Sequence, residues 1–246
     1  MQTSRSWFAT EAARPLAIAH RGASMRAPEN TVAAFEAAIG LGAFAIETDL
    51  RLTRDGHLVC HHDSDLQRIG GIALPIADVE LGDLWRWVPG RVPTLEEACN
   101  AVAGRAALLL DLKQNDAAFH DALIAFLRTR GKRHDIALGV RSLEQFDTLT
   151  LALPWMPTVG LLGAFDDLLA FVADGGTFAR LWERDATADH VLALRDFGGA
   201  VCVMTGEPVQ GQVGKITPAR LDRLVELGVD AIMLDDPAQL RQAAVA

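Results

Sequence analysis

The regular alternation of short apolar runs with helix-like segments constrains this 246-residue chain most strongly. The apolar runs predict strands at 16–20, 44–53, 57–62, 107–112, 136–140, 158–162, 178–182, 200–204 and 231–235. Apolar residues at helical spacing predict helices at 30–41, 93–103, 117–130, 143–152, 166–173, 187–197, 218–227 and 237–244. Asp55-Gly56 is typical of a tight turn, so the second and third strands should form an antiparallel hairpin.

Without the returning arm of that hairpin, each of the eight remaining strands is followed by a helix. This count is typical of a (β/α)8 TIM barrel, an α/β fold that reaches this length as one domain. An open doubly wound sheet would show similar alternation, but no G-x-G-x-x-G turn follows the first strand. We therefore expect a single barrel domain over 1–246, with the hairpin and a short, irregular insertion at 64–92 after the second strand.

The composition narrows the class of function. The net charge of −9 argues against a nucleic-acid partner but leaves room for a small phosphate-bearing substrate, because a local cation can offset the global charge. Three widely spaced cysteines form no disulfide or zinc pattern, so buried thiols are expected. No signal peptide is visible in 1–20, and no apolar run is long enough for an integral membrane segment. We expect the cytoplasm, and the sequence leaves the oligomeric state open.

Polar residues stand at the carboxyl ends of several strands, where barrel enzymes collect their function. The residues in question are His20 and Arg21, Glu47 and Asp49, Asp111 and Lys113, Trp182 and Glu183, and Asp235 and Asp236. Folding the hairpin at 54–55 places 52 opposite 57 and 47 opposite 62, so His62 should return beside Glu47. One rim is thus expected to gather two histidines, several carboxylates and two cations.

Each residue also has a simpler interpretation when taken alone. Glu47 and Asp49 share one face of a strand, where they could be solvated, although paired acids at a barrel rim favour a hard cation such as Mg2+ or Ca2+. Asp111 could cap the next helix, Lys113 could be solvated, and His20 could be a core histidine. Together they match what phosphodiester cleavage needs: a cation, a proton acceptor and a proton donor that titrate near neutrality. The remaining histidines, His57, His120, His134 and His190, lie in turns or helices and are expected at the surface.

The motifs HRG at 20–22, PENT at 28–31, IETD at 46–49, TRDG at 53–56 and HHD at 61–63 occur in this order. In order and spacing they resemble the glycerophosphodiester phosphodiesterase family. Further similar segments are VPTLEEAC at 92–99, LLLDLK at 108–113, RSLEQF at 141–146, RLWE at 180–183 and GVDAIMLDDP at 228–237. The resemblance therefore extends along the whole chain.

The resemblance implies a hydrolase that converts a glycerophosphodiester and water into glycerol 3-phosphate and an alcohol. It assigns the catalytic acid–base pair to His20 and His62. It assigns the ligands of a divalent cation, Mg2+ or Ca2+ with Mn2+ possible, to Glu47, Asp49 and Asp111. Substrate contacts would come from Arg21 and Lys113, which match phosphate-holding groups, and from Trp182. PENT is interpreted as mainly structural, setting the start of the first helix.

The chain departs from the family pattern at the third ligand, which is Asp111 rather than glutamate, and at VCVM (201–204) and LDDP (234–237). These changes leave the alcohol group of the substrate open. Alternatives are a lysophospholipase D-like or other phosphodiesterase on the same site, or a barrel that binds a phosphodiester without cleaving it. In the insertion, Trp85 and Trp87 could form a lid, but we favour a small core of the insertion.

Overall fold

The computed structural model describes residues 6–7, 15–132, 134–209 and 211–243, without the side chains of 241–243. Most of 1–20, on which the expected absence of a signal peptide rests, and residue 244 of the last predicted helix lie outside this part. Within it, eight parallel strands form a barrel, which confirms the predicted fold. They are β1 (Leu16–Ala19), β2 (Ala45–Leu52), β6 (Ala107–Leu112), β7 (Ile136–Val140), β8 (Thr158–Gly160), β9 (Phe178–Trp182), β10 (Ala200–Met204) and β11 (Ala231–Leu234).

The barrel closes where β1 lies between the last strand and the second. β1 pairs with β11 along its whole length and with the first residues of β2, Ala45 and Ile46. The other edge of β2 pairs with β6. In the part described, β2 and β9 are therefore separated by three strands in either direction around the barrel, so they stand opposite each other.

Helices follow the barrel strands and cover the outside of the barrel, at bounds close to those predicted. They are α1 (Val32–Gly40), α4 (Leu95–Val102), α5 (Ala117–Thr129), α6 (Leu143–Ala152), α7 (Phe165–Ala173), α8 (Ala188–Asp196), α9 (Pro218–Glu226) and α10 (Ala238–Ala243). Hydroxyl or carboxylate side chains cap several of them; Thr94 and Glu97 form a reciprocal capping box on α4. Every described helix is too short or too polar to span a lipid bilayer.

Alternation along each strand divides the apolar side chains into two cores. Leu108, Leu110 and Leu112 of β6 point outward and pack with the helices, whereas Ala107 and Leu109 point into the barrel. The same alternation turns Asp111 inward at the upper end of the strand.

All three cysteines are buried, as predicted, and burial raises the pKa of both Cys60 and Cys202 to about 12. His120 is buried in α5, so its predicted surface position is wrong.

The hairpin register differs by one residue from the prediction. β3 (Leu58–Cys60) returns antiparallel to β2, with Leu52 opposite Leu58 rather than residue 57. The turn has three residues between Thr53 and His57, and Gly56 adopts the positive φ of 83° that this longer turn requires. The prediction that residue 47 lies opposite 62 is therefore wrong.

The insertion at 64–92 is more regular than predicted. It contains β4 (Asp65–Leu66), α2 (Gln67–Gly70), β5 (Ile72–Pro75), a 3₁₀ turn (Ile76–Asp78) and α3 (Leu81–Trp87). Leu81 and Leu84 of α3, with Val88 just after it, lie on one side of the helix. They form the core of the insertion together with Ile76 and Val59. The tryptophans lie on other faces, 49% exposed for Trp85 and 38% for Trp87, so the favoured core interpretation is wrong. Neither indole lines the site cavity described below.

We predict that Gly22→Ala destabilises the protein more than Gly131→Ala. Both glycines have positive φ, 81° and 71°, so alanine at either position costs about 1–2 kcal/mol of backbone strain. A Cβ on Gly22 would also lie 2.7 Å from the Ala34 backbone, whereas one on Gly131 meets nothing within 4 Å. Overpacking should add about 1–3 kcal/mol for Gly22→Ala alone. Urea unfolding measures both free energies; equal losses would contradict this packing of the first loop on α1.

Candidate functional site

A cavity of about 960 Å³ opens at the carboxyl ends of the barrel strands. Seven of the eight residues predicted from the sequence line it: His20, Arg21, Glu47, His62, Asp111, Lys113 and Trp182. The eighth, Asp49, is 1% exposed and lies below the cavity surface. Residues far apart in the chain are therefore assembled at one rim, as the strand count predicts.

Three carboxylates form a buried acidic cluster in the wall of this cavity. Glu47 and Asp49 alternate along β2 and point to the barrel interior, and Asp111 is the register partner of Asp49 on β6. Ligand atoms from the three side chains lie within 4.8 Å of one another. Such proximity concentrates negative charge where water cannot screen it, so the cluster needs positive charge nearby.

Cationic side chains supply part of that charge. The Lys113 ammonium contacts both Asp111 and Asp49, at 2.8 Å from Asp49 Oδ1. Arg21 Nε lies 3.2 Å from Asp49 Oδ2. Burial alone would raise the pKa of Asp49, but Lys113 and Arg21 outweigh it and hold that pKa well below its usual range. Asp111 also accepts hydrogen bonds from both Nε and Nη2 of Arg141, at 2.7 and 2.8 Å.

Of the three carboxylates, Glu47 is the one whose negative charge is least compensated by nearby positive charge. It accepts a hydrogen bond from the Arg21 backbone N–H at 2.8 Å. Burial, and next the charge of Asp49, raise the pKa of Glu47 to about 7. A divalent cation among the three carboxylates would supply the missing charge, and an all-oxygen donor set suits a hard ion. The residues present therefore fit a divalent cation.

Asn30, which the sequence interpretation treated only as part of a helix start, orients this cluster. Its Nδ2 donates to Asp49 Oδ2 at 2.7 Å, and its Oδ1 accepts from the Thr48 hydroxyl and the Asp49 N–H. Thr31, not Asn30, is the N-cap of α1. The left-handed backbone of Asn30, with φ 56°, turns its amide toward the barrel. Besides the mainly structural role expected of PENT, its asparagine therefore contacts a carboxylate of the acidic cluster.

His20 lies at the end of β1, and its ring is held by the neighbouring strand. Its Nδ1 is 2.8 Å from Asp235 Oδ1, just after β11. Burial lowers the pKa of His20, but the hydrogen bond to Asp235 and the charge of Glu47 outweigh that effect and raise it. Asp235 therefore orients the ring, leaves Nε2 available and favours the protonated form.

His62 reaches the cavity by a route that hairpin pairing alone does not provide. β3 ends at Cys60, and the His61 N–H still donates to the Asp49 carbonyl of β2 at 2.9 Å. Arg51 then holds the following residue by donating to the His62 carbonyl at 2.7 Å. His62 Nδ1 is 2.8 Å from Asp63 Oδ1. Burial, with the charges of Arg21 and Lys113, lowers the pKa of His62 despite the opposing charge of Asp49. The adjacent His61 is buried and contacts the Asp65 carbonyl instead.

Three arginines of the cavity wall, Arg68, Arg141 and Arg180, were not predicted from the sequence, and Glu183 does not line the cavity, contrary to the prediction. Arg141 follows β7, and Arg180 lies inside β9. Arg180 could have been found from the alternation of FARLW, which puts residues 178, 180 and 182 on the interior face. Glu183 turns away from the cavity and accepts hydrogen bonds from Gly206 N–H and Arg220.

The chain belongs to the glycerophosphoryl diester phosphodiesterase family, whose model matches residues 20–239. A Mycobacterium tuberculosis protein named probable glycerophosphodiester phosphodiesterase 1 is 48% identical over 73 residues, 30% of this chain and 27% of that protein. A Bacillus subtilis glycerophosphodiester phosphodiesterase is 31% identical over 177 residues, 61% of this chain and 60% of that protein. The chain thus matches less than two thirds of the length of either relative.

A solved structure of similar fold is the Oleispira antarctica phosphodiesterase in complex with the product sn-glycerol-3-phosphate. Its TM-score is 0.78 at 21% identity, over 94% of this chain and 97% of that one. A glycerophosphodiester phosphodiesterase from Agrobacterium tumefaciens has a TM-score of 0.77 at 24% identity, over 92% of this chain and 98% of that one. At these identities the likeness establishes the shared barrel fold.

We predict that Glu47→Gln stabilises the metal-free protein at high pH. A folded-state pKa of about 7, raised from 4.5, means that the contribution of Glu47 is complete below pH 4.5 and is lost as pH rises through 7. Relative to wild type, the variant should therefore gain about 2–3 kcal/mol between pH 4.5 and 8. Urea unfolding in a chelator measures this difference.

Glu29→Gln provides a control of opposite sign. Burial would raise the pKa of Glu29, but Arg68 and Arg21 lower it, so its contribution is present at high pH and lost as pH falls. This variant should be less stable than wild type at pH 8, and the deficit should shrink at low pH. Parallel wild-type and Glu47→Gln curves from pH 4.5 to 8 would contradict an uncompensated Glu47.

Proposed function

We propose that this chain hydrolyses glycerophosphodiesters to glycerol 3-phosphate and an alcohol. The observation that carries the proposal is one cavity in which two carboxylate-oriented histidines flank a buried acidic cluster. The names of the relatives and the glycerol 3-phosphate in the Oleispira antarctica structure support the substrate class.

Glu47, Asp49 and Asp111 are the proposed ligands of one divalent cation. Members of the family generally use such an ion, and oxygen-only ligation favours Mg2+ or Ca2+, with Mn2+ as a further candidate. When bound, the cation would neutralise phosphoryl charge and acidify a nearby hydroxyl. Asn30 holds Asp49 in a fixed orientation, so the chain itself supplies the rigidity of the site.

The two histidines are proposed to begin in opposite protonation states. His62, whose pKa is lowered, takes the proton from the glycerol 2-hydroxyl through its Nε2 as that oxygen attacks phosphorus. His20, whose pKa is raised by Asp235, gives its proton to the leaving alcohol oxygen as the P–O bond breaks. Water then opens the resulting cyclic phosphate with the roles of the two histidines reversed, which gives glycerol 3-phosphate and restores both protonation states. Both imidazoles have a carboxylate at Nδ1, which fixes the ring and lets its charge change at low cost.

Arg21, Lys113 and Trp182 are the proposed substrate contacts. Arg21 and Lys113 line the cavity beside the acidic cluster, where a phosphoryl group bridging the histidines would lie. Trp182 stands across the mouth on β9 and forms a wall for the rest of the diester. We also propose that 1–246 forms one domain and acts in the cytoplasm, to be tested by limited proteolysis and cell fractionation.

We predict that His20→Ala and His62→Ala each lower kcat by about 10²–10⁴-fold, because each removes one proton-transfer group. Release of glycerol 3-phosphate from glycerophosphocholine, glycerophosphoethanolamine and a lysophospholipid, with Mg2+, Ca2+ and Mn2+ in turn, measures this loss and the substrate class. His57→Ala, at an exposed turn residue, should keep full activity. Unchanged kcat in either active-site variant would overturn the assignment.

We predict that Asn30→Ala weakens divalent-cation affinity by about 10–100-fold, since Asp49 loses the amide that orients it. Thr31→Ala is a matched control: it should cost about 1 kcal/mol as a lost helix cap yet leave cation affinity unchanged. Calorimetric titration of chelator-treated protein measures both affinities. Equal affinities in all three proteins would contradict the role of Asn30.

A further inference from the structure

A buried arginine that has no ion partner among the described residues lies inside the barrel mouth, outside the machinery proposed above. Arg180 is 8% exposed and lies on the interior face of β9. Its Nη2 donates to the Leu161 carbonyl at 3.3 Å, and its guanidinium lies over the Trp182 ring at 4.7 Å. Its Nη1 is buried and has no hydrogen-bond partner among the described residues.

The position is costly for a charged group. Burial lowers the pKa of Arg180 to about 10, which still leaves the guanidinium protonated at neutral pH. Within the described residues, no carboxylate forms a salt bridge with Arg180, and the charges of Asp111 and Asp185 offset the desolvation of the guanidinium only in part. A planar guanidinium with an unpaired donor matches a carboxylate or phosphate oxygen.

The surroundings of Arg180 are also positive. On the described part of the cavity wall from β8 to β10 and the loop that follows, the lining includes Leu161, Arg180, Met204 and Lys215 and no acidic residue. Arg141 lies next to this wall and is half-exposed, and its Nε contacts Asp111 Oδ1 at 2.7 Å. The acidic residues that line the cavity come from the opposite side, around β1, β2, β6 and β11.

Geometry separates this positive wall from the acidic cluster. Arg180 is on β9, directly across the barrel from β2, which carries Glu47 and Asp49. A diester whose phosphoryl group lies at the cluster and histidines therefore has space for one of its two arms across the mouth, beside Arg180.

We propose that Arg180, supported by Trp182 and Arg141, forms a second anion subsite that binds a carboxylate or phosphate group on the alcohol part of the diester. This proposal rests on the proposed function for the direction in which the substrate lies. It makes diesters of alcohols that carry a carboxylate or phosphate group better substrates than diesters of alcohols without one. A quaternary ammonium group would meet the positive charges of Arg180, Arg141 and Lys215 there, so its binding would be disfavoured.

Glycerophosphoserine and glycerophosphoethanolamine provide the test, because they differ only by one carboxylate. With wild-type protein and its activating cation, we expect kcat/KM to be at least about 10-fold higher for the serine diester, chiefly through KM. A diester ending in a phosphate monoester is the second arm and shows which anion the subsite prefers. A wild-type ratio near one for both anionic substrates over the ethanolamine diester would overturn the proposal.

Variants connect the preference to Arg180. Arg180→Met should bring the serine-to-ethanolamine ratio close to one, and Arg180→Lys should keep part of the preference. Arg184→Met removes a positive charge from an exposed side chain outside the cavity, and its ratio should equal that of wild type. If Arg180→Met does not fold by circular dichroism, the wild-type and Arg180→Lys ratios decide. An unchanged ratio in a folded Arg180→Met protein would overturn the assignment.

Binding without turnover separates this proposal from the proposed function. Calorimetry of the His20→Ala protein with its activating cation should show the serine diester binding more tightly than the ethanolamine diester, with the difference lost on adding Arg180→Met. If no diester is hydrolysed but this difference remains, the proposed function fails and the subsite stands. If diesters are hydrolysed without any preference for an anion, the subsite fails and the proposed function stands.

Discussion

Negative charge buried inside the barrel mouth is the constraint on which the rest of the site depends. Glu47, Asp49 and Asp111 bring their ligand atoms within 4.8 Å of one another, where mutual repulsion is weakly screened. Lys113 and Arg21 neutralise part of this charge, but Glu47 retains a pKa raised to about 7 by burial and by Asp49. The cluster could therefore accept a further positive charge, and we propose that a divalent cation supplies it.

The histidines depend on the same barrel closure that creates the cluster. Because β1 lies between β2 and β11, His20 stands between Glu47 on one side and Asp235 on the other. His62 enters from the hairpin side, with Asp63 as its carboxylate partner. Both histidines thus face one cavity from different edges, while Arg180 faces it from the opposite strand. Under the proposed function, proton transfer and recognition of the alcohol group would take place on different walls of this cavity.

Much of the fold was predictable because it follows from local patterns. Strand alternation put Glu47 and Asp49 inward, and the strand count brought them to the rim with His20. The hairpin register was not predictable from Asp55-Gly56. The dipeptide alone does not show that the turn also includes Arg54 and that Gly56 adopts a positive φ. Interactions between distant segments were missed for the same reason: the contact of Asn30 with Asp49 depends on a left-handed backbone at a loop. The exposure of Trp85 depends on which face of α3 the insertion buries.

One divalent-cation site among three carboxylates is central to the proposed function, and a crystal structure determined with Ca2+ tests this site most directly. We predict one anomalous difference peak per chain, about 2.3–2.6 Å from oxygens of Glu47, Asp49 and Asp111. A peak on other residues, or an empty cluster in which Lys113 and Arg141 keep their contacts with Asp111 at saturating Ca2+, would contradict it.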